Sequence, residues 1–379
     1  MPWREVSTMG SRLEFVTLAR AEGANKRELC RRFGISPQTG YKWLERYARE
    51  GAAGLADHSR RPEHSPRRTL SDHENAVLAL RDEHPAWGGR KLAARMQAQG
   101  RPAVPHPNTI TAILRRNGRL AAPGATPHRW HRFEHDTPNA LWQMDFKGHF
   151  GLGARGGRCH PLTILDDHSR FAVGLYACAD EAGATVRAQL ITTFRCYGLP
   201  DRMVMDNGAP WGGGPAPAWT PLTVWLLHLG IGVSHGRAYH PQTQGKDERF
   251  HRTLKVEILA GRVYPDLAGV QVAFDRWRSV YNLERPHEAC GLLPPASRYT
   301  VSARCFPETL SPIEYGPDEL VRKVQDKGEI WLHGRPYLVG KGFHGYPVAL
   351  RPGHHAGILN VFFLRHQIAQ LDLTRPAED

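Results

Sequence analysis

The chain has 379 residues, of which 41% are hydrophobic, so it is long enough for several domains with buried cores. Its formal net charge of +13 indicates a polyanionic partner, either nucleic acid or an acidic membrane surface. No apolar run approaches the ~20 residues of a membrane span, and the first residues lack the apolar core of a signal peptide. Six cysteines without a CxxC pair predict free thiols in a reducing cytoplasm.

The first 55 residues have the pattern of a helix-turn-helix domain. Apolar spacing and breakers predict three helices, at residues 11–22, 26–33 and 36–50. Ser36 is a natural N-cap for the third helix, in which Tyr41 and Leu44 are expected to face inward. The N-terminal part of such a helix enters the major groove of DNA. The candidates for DNA contact are Gln38, Thr39, Lys42 and, on phosphate, Arg46. A plain three-helix bundle is the alternative.

Residues 56–70 are predicted to be a basic linker, and residues 71–120 to form three more helices that resemble a second helix-turn-helix domain. The basic charge is concentrated in this part of the chain, because residues 1–132 hold 24 Lys and Arg against 12 Asp and Glu. Ser71 and Glu74 have the spacing of a capping box. The candidates for DNA contact are Asn108, Thr109, Arg115 and Arg116. Residues 121–137 are predicted to be a second linker.

The remainder of the chain has a different pattern. In residues 138–290, strand-like runs come first and then alternate with helices, which predicts an α/β core with a mixed sheet. A proline-rich linker is predicted at 291–325. Short alternating segments over 326–375 predict a small all-β barrel.

Three carboxylates stand out by their positions. Asp145 lies within the apolar strand pattern LWQMDF, where a charge is costly to bury unless it is paired or binds a cation. Asp206 follows the apolar run RMVM, and α/β sheets bind ligands at the carboxyl ends of their strands. Glu248 lies on a later predicted helix. Structural explanations remain open, namely an ion pair of Asp145 with Lys147 or a distant arginine, and an Asp-Asn-Gly turn at Asp206.

The helix of Glu248 follows the polar breaker sequence HPQTQG and is rich in cations. A carboxylate surrounded by cations at helical spacing suits a metal ion held beside a phosphate. A surface helix with i,i+4 ion pairs is the alternative. The candidates for DNA contact in this segment are His240, Gln244, Lys246, Arg249, Arg252 and Lys255. For His240 and Gln244, ordering of the loop is the alternative.

Together, the segments WQMDF, VMDNG and HPQTQGKDERFHRTLK resemble the DDE transposases and integrases of bacterial insertion sequences, which are relatives of retroviral integrase. The resemblance covers nearly the whole chain, including NKRELCRRFGISPQTGYKWLERY and YNLERPHEACGLLPPASRY. It implies a ribonuclease-H-like core with a mixed five-stranded sheet, followed by a barrel that contacts DNA or neighbouring subunits. The interval between Asp206 and Glu248 is longer than in the family, which fits an insertion at WGGGPAPAWTP.

The resemblance assigns the roles of catalytic residues and metal ligands to Asp145, Asp206 and Glu248. Such a site takes two Mg²⁺ ions ~3.5–4 Å apart, with Mn²⁺ able to substitute, and stabilises the entering and leaving oxygens of a phosphodiester. Glu248 is preferred to its neighbour Asp247 because the family has its glutamate directly before the arginine of Glu-Arg-Phe.

Asp166 and Asp167 are rival acids. Their sequence Asp-Asp-His-Ser lies between two predicted strands and is better explained as a hairpin turn.

The expected function is that of a cytoplasmic, nucleoid-associated transposase. It is expected to bind the terminal inverted repeats of its insertion sequence, cleave their 3′ ends and join them to target DNA. Because two ends must be paired, a homodimer or homotetramer on double-stranded DNA is expected. The alternatives are a catalytically silent DNA-binding regulator, such as a domesticated transposase, and a metal-dependent nuclease. The presence of all three carboxylates counts against the first, and the paired DNA-binding units disfavour the second.

Overall fold

The computed structural model describes most of the chain, namely residues 7–58, 69–120, 134–153, 156–212, 219–235 and 245–374. The chain divides into two compact units, Met1–Arg68 and Thr69–Asp379. Within the described ranges, no helix is long and apolar enough to cross a membrane.

The first unit contains the three predicted helices, α1 (Thr8–Ala19), α2 (Lys26–Arg32) and α3 (Pro37–Glu50). Ser36 is the N-cap of α3, as expected, since its hydroxyl accepts a hydrogen bond from Thr39 N at 3.2 Å. The predicted inward face is wrong at Tyr41, which is 52% exposed, whereas Gly40 and Trp43 are buried. Gly40 allows α3 to lie against its neighbours, because a Cβ there would be 2.5 Å from the Sγ atom of Cys30.

The second unit begins with the other three predicted helices, α4 (Ser71–Glu83), α5 (Gly89–Ala98) and α6 (Pro107–Arg116). The expected capping box is wrong, because α4 starts at Ser71 itself and Leu70 provides no side-chain cap. Glu74 is instead almost buried against α6, where its carboxylate accepts a hydrogen bond from Arg116 Nε at 2.9 Å. Pairing with a cation on the neighbouring helix has therefore replaced local capping.

A mixed sheet forms the centre of the second unit. Its strands are β1 (Trp142–Phe146), β2 (Phe150–Gly151), β3 (Arg158–Asp166), β4 (Ala172–Cys178), β5 (Arg202–Met205) and β6 (Gly232–His235). β3 is antiparallel to β1 and β4, whereas β5 is parallel to both β1 and β6. The order β4-β3-β1-β5-β6 is the expected mixed sheet of five strands, to which the two-residue strand β2 is added beside β3.

Both faces of this sheet are covered by helices. The helices are α7 (Gly183–Tyr197), α8 (Pro221–His228), α9 (Gly245–Leu254) and α10 (Leu267–Leu283). On one face, Met144 and Ile164 join a core cluster with Leu190 of α7 and Leu226 of α8. The other face contributes to a second cluster, in which Leu165 and Leu175 accompany Phe250 of α9 and Phe274 of α10. The sheet is therefore the middle layer of three.

The helical segment α4–α6 is docked on α10. Val280 of α10 packs against the buried cluster of these helices. Arg90 pairs with Glu288 at 2.8 Å, and Arg95 pairs with Glu284.

The C-terminal part is built on strands β7 (Leu320–Lys323), β8 (Glu329–Leu332), β9 (Arg335–Leu338), β10 (Pro347–Pro352), β11 (Ile358–Phe363) and β12 (His366–Asp372). Four of them form an open antiparallel sheet in the order β12-β11-β10-β7, and β8 pairs only with β9. The predicted barrel is therefore not confirmed, since the described strands do not close into one. Val224 and Leu227 of α8 complete the core of this sheet, so a helix covers apolar surface that a closed barrel would enclose itself.

Candidate functional site

Asp145 and Asp206 lie side by side at one edge of the central sheet. The parallel strands β1 and β5 place Gln143 opposite Val204. Two residues further along come Asp145, still within β1, and Asp206, directly after the end of β5. Neighbouring strands are ~4.8 Å apart, so this register brings the two carboxylates to adjacent positions. The edge formed by the carboxyl ends of parallel strands is where α/β sheets bind ligands.

The electrostatics of Asp145 show how crowded this edge is. Burial and the neighbouring Asp206 raise the pKa of Asp145 to about 6, with smaller contributions from Glu181 and Glu248 in the same direction. Burial also raises the pKa of Asp206, although the amide of Gly208 donates to its Oδ1 at 3.0 Å. Several carboxylates therefore destabilise one another's charged forms, which a bound cation would relieve.

On helix α9, the neighbours Glu248 and Asp247 have different surroundings. Glu248 is exposed and is one of the groups that raise the pKa of Asp145. Asp247 is only 1% exposed, and neither of its carboxylate oxygens has a hydrogen-bond partner among the described residues. Burial, Asp145 and Asp167 raise the pKa of Asp247 well above its ordinary value. Adjacent side chains on a helix point ~100° apart, so only one of the two acids can face the open side.

The residues present fit a hard divalent cation. Asp145, Asp206 and Glu248 offer only carboxylate oxygens, which are the ligands that Mg²⁺ prefers. In the described part of the chain, no three Asp, Glu, His or Cys side chains already converge closely enough to hold a metal ion.

Asp166 ends β3 and Asp167 begins the predicted turn between β3 and β4, and both are fully buried. The carboxylate of Asp166 accepts hydrogen bonds from the amides of Ser169 and Asn139, both at 2.7 Å. Asp167 accepts one from Gln143 Nε2 at 2.7 Å and pairs with Lys246. Both carboxylates are therefore held by donors of this chain, and that of Asp166 stabilises the turn through Ser169.

Lys246 differs from the other cations of its segment. It is half-buried and paired with Asp167, whereas Arg249, Arg252 and Lys255 are exposed. His240 and Gln244 lie outside the described residues.

In the first unit, the candidates for DNA contact lie on or near the surface of α3. Gln38 and Lys42 are exposed, and Thr39 and Arg46 are half-buried. The hydroxyl of Thr39 is 2.9 Å from that of Ser36, so it takes part in the cap. Lys42 Nζ lies 4.5 Å and Arg46 Cζ 5.3 Å from the ring centre of Trp43, which gives both cations a common aromatic support.

In the second unit, Asn108 and Arg115 are exposed on α6, and Thr109 is half-buried. Arg116 is paired with Glu74, as described above, so it also contributes to packing of the helices.

Sequence reasoning missed four residues around the carboxylates. Thr163 of β3 lies opposite Asp145, and its Oγ1 is 2.8 Å from His251 Nε2 of α9. Glu181 raises the pKa of both Asp145 and Asp206, and its Oε1 is 2.8 Å from His160 Nδ1. His251 lies in the segment HPQTQGKDERFHRTLK but has no assigned role there, and the other three lie outside the segments that carry the resemblance. All four come together only through the pairing of strands and the docking of α9.

Sequence models of known families match most of the chain. The "Integrase core domain" matches residues 135–241 and, in a second model, 229–295. The "IS481 family transposase, C-terminal domain" matches residues 319–379. Towards the N-terminus, a "Helix-turn-helix domain" matches residues 11–63 and a "Homeodomain-like domain" matches residues 39–114.

The chain is also similar to individual proteins and to solved structures. The chain is 27% identical over 245 residues to the uncharacterized 31.7 kDa protein of insertion element IS407 from Burkholderia multivorans, covering 59% of this chain and 81% of that protein. It is 28% identical over 227 residues to the uncharacterized 39.2 kDa protein of insertion element IS476 from Xanthomonas euvesicatoria, covering 58% and 62% respectively. Among solved structures, the HTLV-2 integrase catalytic core domain in complex with magnesium shares 14% identity and aligns over 44% of this chain and 99% of that chain, with a TM-score of 0.33.

The domain order that these matches define runs from helix-turn-helix through integrase core to transposase C-terminal domain. The integrase core spans the sheet edge that carries Asp145 and Asp206 as well as helix α9 with Glu248. The chain therefore has an integrase core domain followed by the C-terminal domain of IS481 family transposases, and it is similar to proteins of bacterial insertion elements.

Proposed function

We propose that the protein binds the terminal inverted repeats of its own insertion sequence, cleaves their 3′ ends and joins them to target DNA. The observation that carries this proposal is the register of β1 and β5, which makes Asp145 and Asp206 neighbours at the open edge of the integrase core. Glu248 lies on a helix within electrostatic reach of the same edge.

In this proposal, Asp145, Asp206 and Glu248 hold divalent cations, two Mg²⁺ per site with Mn²⁺ as a substitute. When bound, such cations supply stabilisation of both the attacking and the leaving oxygen of a phosphodiester. The raised pKa of Asp145 supports this assignment, because a bound cation would stabilise the charged forms of clustered carboxylates at a ligand-binding edge. No nucleophilic side chain is required, since water and a DNA 3′-hydroxyl suffice.

The exposed cations Arg249, Arg252 and Lys255 are proposed to bind phosphates beside the scissile bond. Gln38 and Lys42 on α3, supported by Arg46, are proposed to contact the element ends, as are Asn108 and Arg115 on α6. Since two ends must be joined together, the active form is proposed to be a homodimer or homotetramer on paired ends.

The test is a cleavage and joining assay with the full chain. The protein is incubated with Mg²⁺, a labelled duplex carrying an end of its element and a supercoiled plasmid, in parallel with Asp145→Asn. Joined product that disappears in the variant is the expected result. Cleavage without joining would instead identify a nuclease, and binding without cleavage a regulator.

The assignment of Glu248 is tested in the same assay. Glu248→Gln is expected to abolish cleavage, whereas the matched variant Asp247→Asn is expected to retain it. The reverse result would transfer the role of ligand to Asp247.

A further inference from the structure

Helix α9 is attached to the central sheet by two partly buried polar contacts, one on each side of Glu248. On the C-terminal side, Thr163 Oγ1 donates a hydrogen bond to the main-chain oxygen of Asp145 at 2.9 Å and lies 2.8 Å from His251 Nε2. Thr163 is fully buried and pairs with Asp145 in the register of β1 and β3. A side chain of α9 is thus linked through one hydroxyl to the backbone of Asp145.

The direction of this link follows from the number of protons. A threonine hydroxyl has a single proton, and the carbonyl oxygen of Asp145 can only accept it. Thr163 must therefore accept a hydrogen bond from His251, whose Nε2 is the donor. The two hydrogen bonds therefore run from His251 through Thr163 to the main-chain oxygen of Asp145.

The second contact lies on the N-terminal side of Glu248. Lys246 pairs with the buried carboxylate of Asp167, which also accepts a hydrogen bond from Gln143 Nε2 at 2.7 Å. Gln143 precedes Asp145 by two residues on β1. Both attachments therefore connect α9 to the short stretch of β1 that carries Asp145.

Apolar packing alone would leave the position of α9 weakly defined. Phe250 and Leu254 bury the helix in the same cluster as α10, but apolar contact is non-directional and tolerates sliding or rotation. Hydrogen bonds have narrow limits of distance and angle, so they fix which turn of α9 faces which residue of the sheet.

From this geometry, we infer that His251 and Thr163 are positioning residues of the cation site. They fix helix α9 along β1, and the spacing of Glu248 from Asp145 follows from that position. The pairing of Lys246 with Asp167 is the second attachment and acts in the same sense. This inference rests on the proposed function, because it assigns a purpose to the spacing of two residues proposed to share cations.

Loss of the link is expected to weaken cation binding and to slow cleavage together. Residues that orient metal ligands typically contribute about 10- to 100-fold to metal affinity or activity. DNA affinity measured without divalent cations is expected to stay within about 2-fold of wild type, because neither His251 nor Thr163 is exposed.

The test compares matched pairs of variants in the full chain. Thr163→Val removes the hydroxyl at nearly constant shape, whereas Thr163→Ser keeps it. His251→Leu removes the donor, whereas His251→Gln keeps a nitrogen at a similar reach. For each variant, calorimetric titration with Mn²⁺ alone measures the cation affinity, at a temperature well below the melting temperature of that variant. Single-turnover cleavage of an element-end duplex in Mg²⁺ measures the chemical step.

The expected result is a loss of Mn²⁺ affinity and cleavage rate of about 10- to 100-fold in Thr163→Val and His251→Leu, with values near wild type in their partners. Lower melting temperatures with wild-type Mn²⁺ affinity and cleavage would overturn the inference and leave a structural role. Should Thr163→Val not fold, the His251 pair decides by the same criterion. A wild-type chain that binds no Mn²⁺ and cleaves no DNA would instead refute the proposed function.

Discussion

Replacing Asp145 by Asn is expected to abolish cleavage and, at the same time, to stabilise the cation-free protein. Burial, Asp206, Glu181 and Glu248 raise the pKa of Asp145 from an ordinary 3.8 to about 6. The charged form is therefore disfavoured in the folded state by about 3 kcal/mol, taking ~1.4 kcal/mol per tenfold change in proton affinity. Asparagine has nearly the same shape and carries no charge, so the variant escapes this penalty.

The stabilisation expected from Asp145→Asn depends on pH. Below the unfolded-state pKa, Asp145 is protonated in both states and the substitution changes little. Between pH 3.8 and about 6, Asp145 ionises in the unfolded state before it does so in the folded state, so the free energy of unfolding of the wild type falls as the pH rises and levels off above about 6. At pH 7.5 without divalent cations, the gain for Asp145→Asn should be about 1–3 kcal/mol, because relaxation of the half-buried site lowers the full value.

Urea unfolding in EDTA at pH 5 and pH 7.5 measures this gain, and the exposed Asp318→Asn serves as a control for the same chemical change. Adding Mg²⁺ is expected to stabilise only the wild type, by about 2.7 kcal/mol at 100 times the dissociation constant. An Asp145→Asn variant that is less stable than wild type in EDTA would refute the reasoning. So would equal stabilisation of both proteins by Mg²⁺.

Three further predictions concern residues outside the proposed ligand set. Asp247→Val is expected to raise the free energy of unfolding, measured with urea, by about 1–3 kcal/mol, because it removes a buried carboxylate that has no hydrogen-bond partner among the described residues. An equal gain in Glu248→Gln, at an exposed residue, would contradict this reason. Gly40→Ala is expected to destabilise the first unit by about 1–3 kcal/mol, seen as faster limited proteolysis than in Gln38→Ala, because the new Cβ would lie 2.5 Å from Cys30 Sγ. Burial and the nearby Arg285 lower the pKa of His287 from 6.5 to about 3. His287 is therefore protonated in the unfolded state before it is in the folded state, and the free energy of unfolding falls as the pH falls below about 6.5. At pH 5 this loss should reach about 2 kcal/mol, and a His287→Gln variant whose urea midpoint falls just as steeply with pH would rule out this source.

The order of secondary structure follows from local sequence. Helices α2 and α3 begin and end within one residue of their predicted positions, and α1 lies three residues earlier than predicted, because caps, prolines and apolar spacing are local signals. The strand positions of Asp145 and Asp206 are equally local, since each terminates or interrupts an apolar run. For these residues, the sequence pattern alone indicates a ligand-binding edge.

Other features depend on contacts between distant segments. Glu74 has the spacing of a capping residue, but an arginine 42 positions later pairs with it instead. Lys246 reads as one more cation of a basic helix, yet it is paired with the buried Asp167. The C-terminal strands alternate as barrel strands do, but α8 covers their core and the sheet stays open.

The same division applies to the candidate site. Their places in strand patterns single out Asp145 and Asp206, because carboxylates there are costly without a cation, whereas the choice of Glu248 rests on the resemblance to DDE transposases. Tertiary structure alone decides that Glu248 is exposed while Asp247 is buried, and that Thr163 links His251 to the backbone of Asp145. The physical reason is that chemical type is a property of a residue, whereas burial and hydrogen-bond partners arise only when strands pair and helices pack.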